Sequence, residues 1–194
     1  MASTSVDLLA PVHRLSVEQY LRISNLGLFE SGPRVELIDG VIVEMNAAEW
    51  PHRLAVMWLT RELVPQLDVK QILSAQQAIS LPALRSMPEP DIAILDVAEA
   101  QRRRPDRPLL IIEVSDTSLR FDRITKGRLY ARNGVEEYWI LNLHDGVIEV
   151  HREPADDTWT SRTVHGAGAV LRPAALPGVE VAVADLLAFM AGRA

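Results

Sequence analysis

One stretch of the chain places four apolar residues, Leu109 to Ile112, in an unbroken run directly before Glu113 and Val114. An unbroken apolar run bounded by turn residues predicts a strand over 108–114 that is buried on both faces. A carboxylate at the end of a buried strand is costly unless a cation compensates its charge. A metal ion or a nearby lysine would supply that charge, so Glu113 is the first candidate for chemistry.

The rest of the pattern predicts an alternation of helices and strands. Helical spacing and capping residues predict helices over 16–26, 50–64, 121–133 and 184–191. Apolar alternation between turn residues predicts a hairpin over 34–46 and strands over 69–73, 76–81, 91–95, 108–114, 137–143, 147–152 and 158–164. The helix between the strands at 108–114 and 137–143 is expected to be a crossover that joins two strands of one mixed sheet. In the helix over 50–64, Leu54, Met57, Trp58 and Leu63 are predicted to face the core.

Length and composition describe an ordinary folded protein. The 194 residues suit an arm over 1–15 and one domain over 16–194, and a content of 48% hydrophobic and 24% charged residues excludes a disordered chain. The absence of cysteine excludes disulfides and thiolate chemistry and fits a cytoplasmic protein. No apolar run has the length of a membrane span, and no signal-peptide pattern opens the chain, so no membrane partner is expected.

Charge limits the ways in which the chain can bind nucleic acid. The formal net charge of −6 argues against a broadly basic surface, so a nucleic-acid partner would need a local basic patch. The segment 96–107 carries four arginines, Arg102, Arg103, Arg104 and Arg107. It is interpreted either as a solvated connection, the commoner case, or as a phosphate-facing patch.

Asp91 and Glu113 form the strongest candidate site. Each lies at an end of a predicted apolar strand, so the two carboxylates converge if these strands are neighbours. Two anions share a partly buried site only with a cation between them or with a shifted pKa. Carboxylates are the ligands of hard cations such as Mg²⁺ or Mn²⁺, which activate water and neutralise charge on a phosphoryl oxygen. Lys126, on the following helix, is close enough in sequence to reach the same place.

Each of these residues also has a structural interpretation. Asp91 could cap a turn after Pro90, and Glu113 could pair with an arginine. Asp122, Lys126 and Tyr130 are spaced four residues apart, so they share one helix face. Asp122 and Lys126 could be an exposed ion pair on that face, which would stabilise the helix by only about 0.3–0.5 kcal/mol. Glu36 could face inward or lie solvated on an edge strand, and a lone histidine such as His52 near a helix start is usually exposed.

Several segments together resemble the Uma2 family, also described as DUF820-type restriction endonucleases, within the PD-(D/E)XK nuclease superfamily. The similar segments are SVEQYL, RVELIDGVIVEMN, PHRLAV, PEPDIAIL, LLIIEVSDTSLRFDRITKGRLYARNGVEEYWILNL and LPGVEVAVADLLA, which span about 16–188 in order. The run from Glu113 to Trp139 is the most specific part. The resemblance implies an α/β fold: a restriction-endonuclease-like core with a mixed sheet flanked by helices, plus an added N-terminal helix and β-hairpins.

The resemblance also implies a site. It makes Asp91 and Glu113 the metal-binding acids, Glu36 an additional acid, and Lys126 the lysine of the motif. The usual superfamily lysine lies two residues after the second acid, where this chain has Ser115, and Uma2-like sequences carry it on the following helix instead. His52 and Ser115 are accessory candidates.

Two functional hypotheses follow. The first is an endonuclease that uses Mg²⁺ or Mn²⁺ to cut DNA and works as a homodimer. The second is a catalytically silent module with a nuclease fold that binds nucleic acid or a protein partner. A third possibility is that the substrate is RNA or a structured DNA junction.

Overall fold

A computed structural model describes residues 11–30, 32–102 and 104–192. In chain order, its helices are α1 (Val17–Asn25), α2 (Trp50–Leu63), α3 (Val97–Ala100), α4 (Leu119–Phe121), α5 (Gly127–Arg132) and α6 (Val183–Met190). Its strands are β1 (Val35–Ile38), β2 (Val41–Glu44), β3 (Gln71–Ala75), β4 (Ile92–Asp96), β5 (Leu110–Ser115), β6 (Glu137–Asn142), β7 (Val147–Ala155), β8 (Thr158–His165), β9 (Val170–Leu171) and β10 (Val181–Ala182).

The core is a six-stranded mixed sheet in the order β3-β4-β5-β6-β7-β8. The pair β5 and β6 is parallel, and the other neighbouring pairs are antiparallel. The parallel pair requires a crossover, which residues 119–132 supply as α4, a π-helical turn (Asp122–Lys126) and α5. We call residues 119–132 the crossover helix. The mixed sheet flanked by helices and the crossover are as the sequence predicts.

The alternation of side chains along β5 divides the interior in two. Leu110, Ile112 and Val114 point to the face that α2 and α6 cover. Ile111 points to the opposite face, which the crossover helix and the β1–β2 hairpin cover. Glu113 is two residues further along β5, so its carboxylate enters this second layer. The two-residue alternation of side chains along β5 therefore determines which of the two layers contains the Glu113 carboxylate.

Local signals for α1 and the hairpin are confirmed. Ser16 caps α1, and Gln19 returns the bond in a capping box. The β1–β2 hairpin turns at Asp39 and Gly40, both of which have positive φ, as this turn requires. Residues 1–10 of the predicted arm lie outside the described residues, whereas the Leu15 backbone N–H donates to the Gly40 carbonyl at 2.9 Å. Within the described residues, no helix has the length and apolar character needed to cross a membrane.

The predicted strand over 76–81 is wrong. Gln76 has a φ of 51°, which turns the chain away from the direction of β3. The Ile79 backbone N–H then donates to the Pro88 carbonyl, and β3 pairs with β4. The apolar residues Ile79 and Leu81 are buried under the hairpin without belonging to a strand. Ile79 and Leu81 are therefore buried as part of a loop, although the periodicity of this segment suggested a second strand. The short strands β9 and β10 were not predicted.

The prediction that Met57 of α2 faces the core is also wrong. Met57 is 56% exposed, while Ala55, Val56 and Leu59 are buried against the sheet. Trp58 and Leu63 are buried, as predicted. The helix is apolar on more than one side, so its sequence does not select a single buried face.

We predict opposite outcomes for two alanine variants in α2. Leu59→Ala should lower the free energy of unfolding by about 2–5 kcal/mol, because it opens a cavity in the main core. Met57→Ala should change it by about 0.5 kcal/mol or less, because that side chain is largely solvated. Urea unfolding followed by circular dichroism measures both, and similar losses for the two variants would contradict the observed orientation of α2.

Candidate functional site

Glu113 lies at the centre of the site and is 2% exposed. Its Oε1 accepts hydrogen bonds from Lys126 Nζ at 3.0 Å and from the Tyr130 hydroxyl at 2.7 Å. Its Oε2 accepts a longer bond, 3.4 Å, from the backbone N–H of Asp91. The cation that compensates the buried carboxylate is therefore Lys126, and the alternative of an arginine partner is wrong.

Lys126 comes from the π-helical turn of the crossover helix and is 5% exposed. Its Nζ also lies 3.5 Å from Glu36 Oε2, so Glu36 points inward from β1 rather than into solvent. Asp122, from the same turn, is buried and accepts hydrogen bonds from the hydroxyls of Ser115 and Ser118. The interpretation of Asp122 and Lys126 as an exposed pair is wrong, because this turn packs against the sheet.

The acids of this cluster exceed its ammonium groups. Burial raises the pKa of Glu113 well above its usual value, and the Lys126 charge offsets this only in part. Burial likewise raises the pKa values of Glu36 and Asp122. Burial alone would lower the pKa of Lys126, but the surrounding carboxylates, with Glu113 foremost, hold it above the usual value. The single ammonium group of Lys126 thus compensates the charge of three buried carboxyls, Glu36, Glu113 and Asp122.

Asp91 directly precedes β4 and lies beside Glu113. Its Oδ2 accepts hydrogen bonds from the Val114 backbone N–H at 2.8 Å and from His52 Nε2 at 3.0 Å. Burial raises the pKa of Asp91, but the hydrogen bond from His52 and the bond from Val114 outweigh it, and the pKa lies below its usual value. The carboxylate binds across to β5 and α2, so the alternative that it caps a turn after Pro90 is wrong.

His52 lies in the first turn of α2, where its side chain is 15% exposed. Its Nδ1 is buried and has no hydrogen-bond partner among the described residues. The usual exposed position of a histidine at a helix start does not apply here, because Asp91 holds the ring.

These side chains line one open cavity of about 600 Å³. Its wall includes Glu36, His52, Asp91, Glu113 and Lys126. Ser115 does not line it and reaches the cluster only through Asp122. Eight acidic residues and three basic residues line the cavity. The acidic residues are Glu36, Glu44, Glu49, Glu89, Asp91, Glu113, Asp116 and Asp122, and the basic residues are Arg34, Arg120 and Lys126.

The chemistry of this wall fits a hard divalent cation. Asp91 and Glu113 present adjacent carboxylates, and the acidic excess favours additional positive charge. Their present positions do not form a finished coordination site: within the described ranges, no three His, Asp or Glu side chains are arranged to hold a metal ion. Lys126 occupies one oxygen of Glu113, so metal binding would require these side chains to adjust.

Three of the four arginines of 96–107 lie within the described residues, Arg102, Arg104 and Arg107, and none of these three lines the cavity. Arg102 pairs with Glu99 and Asp106, and Arg104 pairs with Glu18. Neither lines the cavity, so for these two residues the structure favours a surface connection over a phosphate-facing patch. Arg103 lies outside the described residues.

Two tyrosines complete the cluster. The Tyr130 hydroxyl binds Glu113, and the Tyr138 hydroxyl donates to the Asp122 backbone carbonyl at 3.1 Å. Tyr130 could have been found from its spacing, four residues after Lys126. Tyr138 carries no such signal, because only the pairing of β5 with β6 brings it beside the crossover helix.

Comparison with known proteins assigns the family. The model of the Uma2 family, described as "Putative restriction endonuclease", matches residues 17–184, which is most of the chain. The chain belongs to the Uma2 family. No curated protein matches it in sequence.

One solved structure confirms the fold of this Uma2 protein. A crystal structure described as "a putative nuclease belonging to DUF820", from Anabaena variabilis, superposes with a TM-score of 0.74. The superposition covers 91% of this chain and 99% of that one at 15% identity. The type IIG restriction endonuclease BpuSI is similar over 56% of this chain and 12% of its own, at 18% identity. Its TM-score of 0.39 is too low to establish a common fold.

We predict that Lys126→Met destabilises the protein by about 3–5 kcal/mol near pH 8, because it leaves buried carboxylates without their cation. The loss should shrink toward pH 5. Carboxyls whose pKa is raised by folding are stabilising below their unfolded pKa of about 4.5, and this contribution is lost as pH rises through the folded value. Removing Lys126 raises the pKa values of these carboxyls in the folded state further.

Urea unfolding at pH 5, 6.5 and 8 measures this difference. Arg128→Met is the matched control, because Arg128 lies two residues along the same crossover helix with its side chain 65% exposed. A loss of stability for Lys126→Met that is equal at all three pH values would contradict the charge assignment.

Proposed function

We propose that this Uma2 protein is a divalent-metal-dependent endonuclease that hydrolyses DNA phosphodiester bonds. The observation that carries the proposal is the juxtaposition of Asp91, Glu113 and Lys126 on the wall of one open cavity. Membership of the Uma2 family supports a nuclease as the class of enzyme. Fold and family alone do not specify a reaction, so the residues must carry the argument.

Asp91 and Glu113 would hold Mg²⁺ or Mn²⁺, with Glu36 as an additional acid. The ion would supply a water of lowered pKa and neutralise charge on the phosphoryl oxygen. Asp91 is suited to be the ionised ligand, since its pKa lies below the usual value. Lys126 Nζ donates to Glu113 and would orient the attacking water or stabilise the charge that develops on phosphorus oxygens.

His52 has a positioning role in this proposal. It donates to Asp91 Oδ2, and the Val114 N–H donates to the same oxygen, so the carboxylate is fixed from two elements. Partners that orient ligand carboxylates affect metal affinity and activity. Asp91 also lines the cavity.

We expect metal-dependent nicking or cutting of plasmid DNA by the purified protein. Asp91→Asn, Glu113→Gln and Lys126→Ala should each lower the rate about 10²-fold or more, because each removes a charge that the transition state needs. Asp157→Asn is the control, since that exposed carboxylate lies outside the cavity. Undiminished cleavage in all three site variants would assign the activity to another site or to a contaminant.

His52→Ala should weaken metal binding by about 10–100-fold while leaving the fold intact, because Asp91 loses an orienting bond. Isothermal titration with Mn²⁺, together with a thermal melt without metal, separates the two effects. An unchanged affinity for Mn²⁺ would remove His52 from the proposed site.

A catalytically silent binding module is the second candidate. The acidic excess of the cavity favours the form of this module that binds a protein partner, because a polyanion is repelled by eight carboxyls unless cations bind first. Absence of Mn²⁺ binding at millimolar concentration, together with absence of cleavage of DNA and RNA, would favour this module. Cleavage of RNA or of DNA junctions in preference to duplex DNA would redefine the substrate instead. We further propose a homodimer, since two copies of the site are needed to cut both strands together, and sedimentation measures it.

A further inference from the structure

A second, smaller cavity lies beside the crossover helix, separate from the acidic one. Its volume is about 200 Å³, and its lining residues are Arg123, His151, Thr158, Trp159 and Arg162. Tyr138 connects the two regions: its hydroxyl binds the Asp122 carbonyl, and its ring packs against those of His151 and Trp159. The second cavity therefore opens next to the π-helical turn that carries Asp122 and Lys126.

The charge of this cavity is opposite to that of the first. Glu149 is 1% exposed and accepts hydrogen bonds from Arg123 Nε at 2.9 Å and from an Arg162 terminal nitrogen at 2.7 Å. Two guanidinium groups thus surround one carboxylate, which leaves one positive charge in excess within this cluster, and Asp145 also interacts with the charge of Arg123. A guanidinium has five N–H donors, so both arginines retain donors beyond those that Glu149 accepts. Paired arginines with spare donors are typical of oxyanion recognition.

His151 provides an independent sign of a ligand. The residue is 5% exposed, and its Nε2 is buried with no hydrogen-bond partner among the described residues. The Glu149 carboxylate is 3.6 Å away, beyond hydrogen-bond distance. A buried polar atom without a partner costs free energy, and a bound group that supplies the missing bond would remove that cost.

We propose that this cavity binds a phosphate group, and that in the nucleic-acid complex it holds a backbone phosphate close to the one that is cut. The volume is below the roughly 300–1,000 Å³ typical of sites for organic ligands, which suits an isolated phosphate group better than a nucleoside. The nucleic-acid part rests on the proposed function, whereas binding of a phosphate group does not. A positive site on the same side of the sheet also gives a polyanion an attractive contact, whereas carboxyls outnumber basic groups on the wall of the acidic cavity.

Inorganic phosphate is the probe for the first experiment. Titration of the wild-type protein, followed by the NMR signals of the His151 ring, should give a saturable shift. Arg162→Gln should weaken phosphate binding about tenfold, because one charge-assisted contact is lost. Absence of a saturable His151 shift in the wild type would overturn the site.

Arg152→Gln is a matched control. Arg152 also pairs with a strand glutamate that is 1% exposed, Glu137, and its own side chain is 41% exposed against 48% for Arg162. It follows His151 on β7 and so points to the opposite face of the sheet. Thermal melts show whether either variant loses stability. Equal loss of phosphate binding in both variants would mean that the effect is structural and would overturn the assignment. Arg162→Lys should retain part of the affinity.

The second experiment tests the nucleic-acid part with an oligonucleotide duplex and the Asp91→Asn protein, which is expected to bind without cutting. Adding Arg162→Gln should weaken DNA binding about tenfold and lower the slope of log affinity against log salt by about one, the signature of one lost phosphate contact. Adding Arg152→Gln should change neither. Phosphate binding with no effect of Arg162→Gln on DNA, or with no DNA binding, would restrict the site to free phosphate. Failed cleavage by the wild type, with both binding effects intact, would overturn the proposed nuclease activity and leave this site standing.

Discussion

The buried ion pair between Lys126 and Glu113 is the interaction on which the candidate site depends. It joins the crossover helix to the central strand β5, and the Tyr130 hydroxyl adds a second bond to the same oxygen. An unpaired charge at this depth would cost several kcal/mol. The ammonium therefore allows a carboxylate to remain in the interior, and it places a cation and an anion together on a cavity wall.

The arrangement gathers acids that repel one another. Glu36 comes from the hairpin, Asp91 from the residue directly before β4, and Asp122 from the π-helical turn, so three further segments contribute carboxyls close to Glu113. Serine hydroxyls, backbone N–H groups and His52 donate hydrogen bonds to these carboxylates, in addition to the charge that Lys126 supplies. Such concentrations of buried charge reduce stability and are typical of functional sites rather than of structural cores. The arginine-lined cavity beside Tyr138 lies on the same side of the sheet as these acids. That side therefore carries two regions of opposite charge.

Much of this could be read from the chain. The unbroken apolar run identifies β5 and makes Glu113 anomalous, and the aspartate–glycine turn identifies the hairpin that carries Glu36. The four-residue spacing places Asp122, Lys126 and Tyr130 on one helix face, although it does not say whether that face is buried. Resemblance to the Uma2 family supplied the link between Lys126 and the acids. Local pattern failed at 76–81 and at Met57, because apolar residues in a loop and on an exposed helix face carry the same signal as core residues.

The sequence by itself determined most of the main helices and strands and their order, the two-sided burial of β5, and Asp91 and Glu113 as candidate acids, because these depend on periodicity and on turn residues close together in the chain. Tertiary structure decided which charges meet. The antiparallel pairing of β4 with β5 brings Asp91 beside Glu113, and the crossover brings Lys126 onto it. Those contacts span 22 and 13 positions along the chain. Contacts at such separations depend on strand register and helix packing, so no local pattern specifies them.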